Sequence, residues 1–82
     1  MEEIKVHGIY RHFKGDYYLV EGIAKSADDL RLYVVYRALY GEGEQWIRPV
    51  EDFLGKVNHE KYPDVTQENK FELQNILSKR HG

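Results

Sequence analysis

Between His7 and Val50 the sequence runs through four apolar, aromatic-rich segments broken only by short turn signals: HGIYRHF, YYLVEGIAK, RLYVVYRALY and QWIRPV. Val, Ile, Tyr and Phe fit a pleated, half-buried surface, and such segments bounded by Gly, Asp and Ser read as strands. The connections KGD, SADDL and GEGE are short, and their glycines accept the positive φ that tight turns demand. Strands joined this closely pair antiparallel. This part of the chain therefore defines a four-stranded antiparallel meander.

Closing each hairpin shows which side chains share a face, because a slip of one residue sends every side chain to the other side. With Ala24 opposite Leu32, Gly22 meets Val34, Val20 meets Tyr36 and Tyr18 meets Ala38, an apolar face taken as the core. With Tyr40 opposite Gln45 across GEGE, Ile47 falls beside Ala38 on that face. The other face then carries Tyr17, Leu19, Glu21 and Ile23, followed by Tyr33, Val35, Arg37 and Leu39, then Trp46, Arg48 and Val50. In the first hairpin, a loop of three or four residues decides whether Tyr10 and His12 or Ile9, Arg11 and Phe13 join the core. Hydrophobicity favours Ile9 and Phe13.

The chain has 82 residues and no cysteine, so a single core must do without covalent staples, and a large enclosed active-site cavity is not expected. One domain over residues 1–82 is the natural reading. The opening MEEIKVHGIY has no basic region followed by an apolar stretch, and no segment approaches the roughly 18 apolar residues of a membrane span. We expect a cytoplasmic protein with no membrane association. A formal net charge of −2, with mixed signs along the whole length, implies no strong hold on bulk nucleic acid but leaves room for a local patch.

Beyond Val50, EDFLGKV reads as a short helical turn that drops Phe53 and Leu54 back onto the end of the sheet, and Pro63 marks a loop. The segment DVTQENKFELQNILSKR fits a short strand at Lys70–Leu73 running into a C-terminal helical turn. The expected fold is mainly β: a small antiparallel, SH3-like β-barrel of four or five strands with a minor C-terminal helical element.

The stretches GIYRHFKGDYYLVEGIAKS and VVYRALYGEGEQWIRPVEDFL, with a later KFEL, resemble the small bacterial family known as domain of unknown function 1653. The resemblance covers about the first 54 residues and is carried by GxYRHFKG and VYRALYG…WxRPxxxF. It implies a compact module in bacterial cytoplasm and carries no activity or site residue with it. ALY at Ala38–Tyr40 is similar to the start of the SH3 signature, but it ends a mid-chain strand, so the peptide-binding function does not follow.

The candidate site lies where the register sets Arg37 across from Arg48, since like charges opposite one another in a sheet need a negative group between them. That group is either an internal carboxylate, Glu21 or the Glu51–Asp52 pair, or a phosphate or carboxylate of a ligand, both of which suit guanidinium forks. Trp46, Leu39 and Tyr17 should form a row beside the arginines. Such a row can stack nucleobases, form a dimer contact, or make a second small core under Phe71, Ile76 and Leu77.

Other chemistry finds no support. His7 and His12 fall on opposite faces of a strand and His59 and His81 lie in a loop and the tail, so no metal spacing arises. The serines, Ser26 and Ser78, sit in no nucleophile elbow, and the GEGE glycines precede no helix. We expect no catalytic residue, metal or cofactor. The expected function is a binding module that engages nucleic acid or a protein through Arg37, Arg48, Trp46, Tyr17 and Glu21. The alternatives are a small enzyme or regulator taking a phosphorylated or carboxylated metabolite at the same arginines, and a homodimer through this face.

Overall fold

The computed structural model describes residues 3–75. Its elements are β1 (Ile9–His12), β2 (Tyr17–Lys25), β3 (Leu32–Ala38), β4 (Gln45–Pro49), α1 (Val50–Phe53) and β5 (Phe71–Leu73). All strand pairs are antiparallel, in the order β4-β3-β2-β1-β5. The meander is as expected, and β5 adds to it on the outer side of β1.

The first hairpin closes through Phe13, Lys14 and Gly15: the His12 N–H donates to the Asp16 carbonyl at 2.8 Å, and Gly15 takes φ +110°. Tyr10 thereby lies opposite Tyr18, and Tyr10 and His12 join the inner face in place of Ile9 and Phe13. Tyr10 is 5% exposed. Its hydroxyl accepts the Lys5 N–H at 2.9 Å, and a tyrosine so satisfied costs little to bury. Hydrophobicity alone misjudged it.

Strands β2 and β3 pair as expected at Tyr18–Ala38 and Val20–Tyr36, but the register then slips at a β-bulge between Val20 and Gly22. Glu21 is the extra residue. Beyond it Gly22 meets Val35, Ile23 meets Val34 and Ala24 meets Tyr33, so the expected Gly22–Val34 and Ala24–Leu32 pairs do not form.

The larger correction falls on β4. Gln45 lies opposite Arg37 instead of Tyr40, and Tyr36–Trp46, Val35–Ile47 and Val34–Arg48 follow. The turn is wider than GEGE alone: Ala38 N–H reaches the Glu44 carbonyl at 2.9 Å, with Gly41 and Gly43 both at positive φ inside the loop. An odd shift reverses the faces of the whole strand. Ile47 turns outward and is 66% exposed, while Trp46 and Arg48 turn inward.

Tyr10, Val20, Val34, Tyr36, Phe53 and Phe71 form the buried core on the concave side. Pro49 ends β4, and the single turn of α1 delivers Phe53 beneath the sheet, stacked on Phe71 at 4.2 Å and 8° between ring planes. Leu54 is half-buried beside it. Residues 54–70 form an irregular connection held by an isolated bridge between Lys56 and Asn69 and by buried Gln67. The Gln67 amide accepts from Arg11 Nη1 at 2.7 Å and donates to the Arg11 and Asn69 carbonyls at 3.0 and 2.9 Å.

The sheet is open. β4 and β5 are its two edges and share no ladder, so the closure that a barrel requires is not present. The C-terminal helical element and the cover by Ile76 and Leu77 lie outside the described residues. No described helix is long and apolar enough to cross a membrane.

Candidate anion-binding cleft

Arg48 owes its position to the wide β3–β4 turn, which points it inward opposite Val34. Its Nε donates to the Tyr36 hydroxyl at 3.1 Å, its Nη1 donates to Asp52 Oδ2 at 2.6 Å, and its guanidinium carbon stands 5.4 Å from the Phe71 ring centroid. Asp52 is four residues on, in α1. Its other oxygen accepts from Lys70 Nζ at 3.1 Å. One carboxylate therefore holds two cations, Arg48 from β4 and Lys70 from the far end of the connection. Hydrogen bonds from Arg48 and then Lys70 hold the Asp52 carboxyl below its usual range.

His12, on the same face, packs against Phe13 and Phe71 with ring centroids at 4.4 and 4.9 Å. Its Nδ1 accepts the backbone N–H of Lys14 at 3.1 Å, which leaves Nε2 as the donor of the neutral ring. Burial, and after it the charges of Arg48, Lys14 and Lys70, pushes the His12 pKa below 6.5, with Asp16 opposing. This lowering favours the neutral ring.

The β1–β2 turn contributes Phe13 and Lys14, and the connection contributes Lys56, Val57, Asn58, Lys61 and Tyr62. With His12, Arg48 and Lys70 they line a cleft of about 410 Å³. Phe13 and Tyr62 pack at 5.0 Å, and Lys14 Nζ lies 5.9 and 5.8 Å from their centroids. The lining holds five Lys or Arg side chains and no carboxylate. Lys56 pairs with Glu68 at 3.2 Å, whereas Lys14 and Lys61 have no salt-bridge partner among the described residues.

The expected site residues separate onto two faces. Arg37 points outward: its Nε donates to Glu21 Oε2 at 3.0 Å and its Nη1 to the Gly43 carbonyl at 2.7 Å, while Gln45 Nε2 donates to Glu21 Oε1 at 2.7 Å. These bonds, Arg37's foremost, hold the Glu21 carboxyl below its usual range. Tyr17, opposite Arg11, lies on this outer face and is half-exposed. Arg37 and Arg48 therefore share no acceptor, and each has its own: Glu21 for one, Asp52 for the other. Glu51 pairs instead with Arg31. Trp46 is on the inner face near Arg48 and 47% exposed, but Leu39 continues the outer face of Arg37, so the expected Trp46–Leu39 row does not form.

Sequence reasoning missed His12, Lys14, Lys56, Lys61, Tyr62 and Lys70 as a group. The sequence offers His12 only as a metal ligand or a core residue, and among the described residues no three His, Cys, Asp or Glu side chains gather to hold a metal. The one signal within reach was RHFK, which puts three basic residues next to a phenylalanine at the first turn. The lysines of the connection show no period.

Fold and site together define a small open-sheet β domain with a basic, aromatic-walled cleft. The chain belongs to the family described as protein of unknown function DUF1653, whose model matches residues 8–73 and so spans every residue of the cleft. It is similar to the crystal structure of a DUF1653 protein from Bordetella bronchiseptica, with 25% identity over 98% of this chain and 99% of that one and a TM-score of 0.73. Comparison with curated proteins finds no match.

Proposed function

We propose that the chain is a small cytoplasmic binding module whose basic cleft takes an anionic ligand bearing a phosphate or carboxylate. The observation that carries this is the lining of five Lys or Arg side chains without a carboxylate, two of them fixed by Asp52. Gathering like charges around one cavity opposes folding, and a bound anion reverses that cost. The arginine that serves is Arg48; Arg37 is occupied on the other face by Glu21.

Size separates a small ligand from an extended polyanion. A cleft of about 410 Å³ falls within the roughly 300–1,000 Å³ of small-molecule sites, and a net charge of −2 offers no long-range field for a strand of phosphates. A half-exposed Trp46 on the inner face favours, as a second reading, a short single strand whose bases stack beyond the cleft. In either case we read the curled sheet, with Arg48 over Phe71 between its edges, as an SH3-like half-barrel.

Titration with inorganic phosphate and with a twelve-nucleotide oligothymidylate, followed by amide NMR at rising salt, tests both readings. A small-ligand cleft saturates at one phosphate per chain, with shifts at Lys14, Lys61 and Lys70 and a shallow salt dependence. Tighter oligonucleotide binding that falls steeply with salt and shifts Trp46 supports the strand reading. If neither ligand perturbs the cleft residues, the proposal fails.

A further inference from the structure

We infer that the cleft takes a phosphate monoester in preference to a carboxylate, its terminal oxygens met by Arg48, Lys70, His12 and Lys14 and its organic part lying against Phe13 and Tyr62. This rests on the anion-binding reading above and names its ligand class.

A carboxylate is planar, with two oxygens, and is matched best by the in-plane fork of a guanidinium. Arg48 offers only part of its fork, because Nε–H is taken by the Tyr36 hydroxyl and one Nη1–H by Asp52, which leaves its remaining Nη hydrogens. The other cations are ammonium groups, point charges without a preferred plane, delivered by separate segments: Lys14 from the β1–β2 turn, Lys61 from within the connection and Lys70 from its end just before β5. Donors converging from several sides suit a tetrahedral group with three terminal oxygens. A monoester also carries about −1.5 to −2 charges at pH 7, which answers several fixed cations where a carboxylate answers one. The packed Phe13 and Tyr62 rings give the cleft an apolar wall that inorganic phosphate would leave unused.

His12 supplies a readout that a generic cation patch lacks. The charges that face it are Arg48, Lys14 and Lys70, opposed by Asp16 alone, and its remaining neighbours are the rings of Phe13, Tyr18 and Phe71. A dianion seated among those cations inverts the field at the ring, so His12 takes up a proton as the ligand binds. Its Nε2–H donates in both protonation states.

The test is a titration of the intact chain with phenyl phosphate and with benzoate, followed by NMR of the amides and the His12 ring across pH. Phenyl phosphate is expected to saturate one site, to raise the His12 midpoint by about one unit and to bind about tenfold or more tightly than benzoate. Lys14→Gln and Lys61→Gln alter exposed side chains, keep the fold by amide spectrum, and each weaken phenyl phosphate severalfold, while Arg37→Gln on the outer face leaves it unchanged. Benzoate binding as tightly as phenyl phosphate, or saturation with no change in the His12 midpoint, overturns the monoester inference and leaves the anion cleft standing. Absence of any cleft shift with either ligand overturns both.

Discussion

The guanidinium carbon of Arg48 stands 5.4 Å from the centre of the Phe71 ring, and these two residues belong to the opposite edges of an open sheet. Between the edges there is no backbone ladder. The curl is held instead by this cation–π contact, by the Phe53–Phe71 stack beneath it, and by Asp52, which takes Arg48 and Lys70 together.

Phe71 should therefore be among the most sensitive positions in the chain. It is buried and stacks on Phe53, while its ring also meets His12, Tyr18 and Tyr36. Phe71→Ala is expected to cost about 3–5 kcal/mol, a large share of what a domain this small possesses. Urea denaturation measures it. A loss below about 1 kcal/mol would mean that the two edges are held some other way.

Asp52→Asn should separate stability from binding. Removing the carboxylate leaves Arg48 and Lys70 facing each other unneutralised, but the Asp52 side chain is 41% exposed and solvent screens much of the effect, so a loss of about 1 kcal/mol or less is expected. Phosphate affinity should rise, because the ligand no longer competes with an internal anion for these two cations. Calorimetric titration of the variant decides it; weaker phosphate binding would make Asp52 a positioning residue alone.

Gln67→Ala is expected to cost about 2 kcal/mol, since it strips partners from part-buried backbone carbonyls and from the Arg11 guanidinium at once. Its second effect is local. The connection that carries Lys56, Lys61 and Tyr62 loses its pin, and amide hydrogen exchange at Val57 and Lys70, whose N–H groups bond to Glu68 and Gly55, should quicken more than in the β2–β3 ladder.

Acidification should lower stability in two steps. The native pKa of His12 lies below its ordinary 6.5, so as pH falls below about 6.5 the unfolded chain binds the proton first and stability declines until the native value is passed. Asp52 is held below 3.8, and the stability it contributes is fully present above that value and lost as pH falls through its native pKa. Urea midpoints from pH 8 to pH 3 should show both, and His12→Gln should flatten the upper step alone.

The strands were legible because Val, Ile, Tyr and Phe repeat between turn residues, and the Val20, Val34 and Tyr36 core followed from pairing them. Register was not, since it depends on turn width. Gly41 and Gly43 read equally well as a tight GEGE turn and as the two left-handed positions of a wider loop, and that difference moved Ile47 out and Arg48 in. The bulge at Glu21 had no marker beyond the neighbouring Gly22. The expected negative group shared by Arg37 and Arg48 followed from the wrong register; Glu21 pairs with Arg37 alone, and Arg48 has Asp52. The cleft stayed hidden because Lys56, Lys61 and Lys70 come from a connection without a regular period and Lys14 from a turn, so no pattern in the sequence brings them together.

An open sheet exposes unpaired peptide groups along two borders, and such borders are where chains polymerise. Here β5 runs only from Phe71 to Leu73, and β4 ends at Pro49, which has no N–H to offer a visiting strand. Both borders are too short or too interrupted to template a neighbour, so the sheet can stay unclosed without becoming a seed for fibrils.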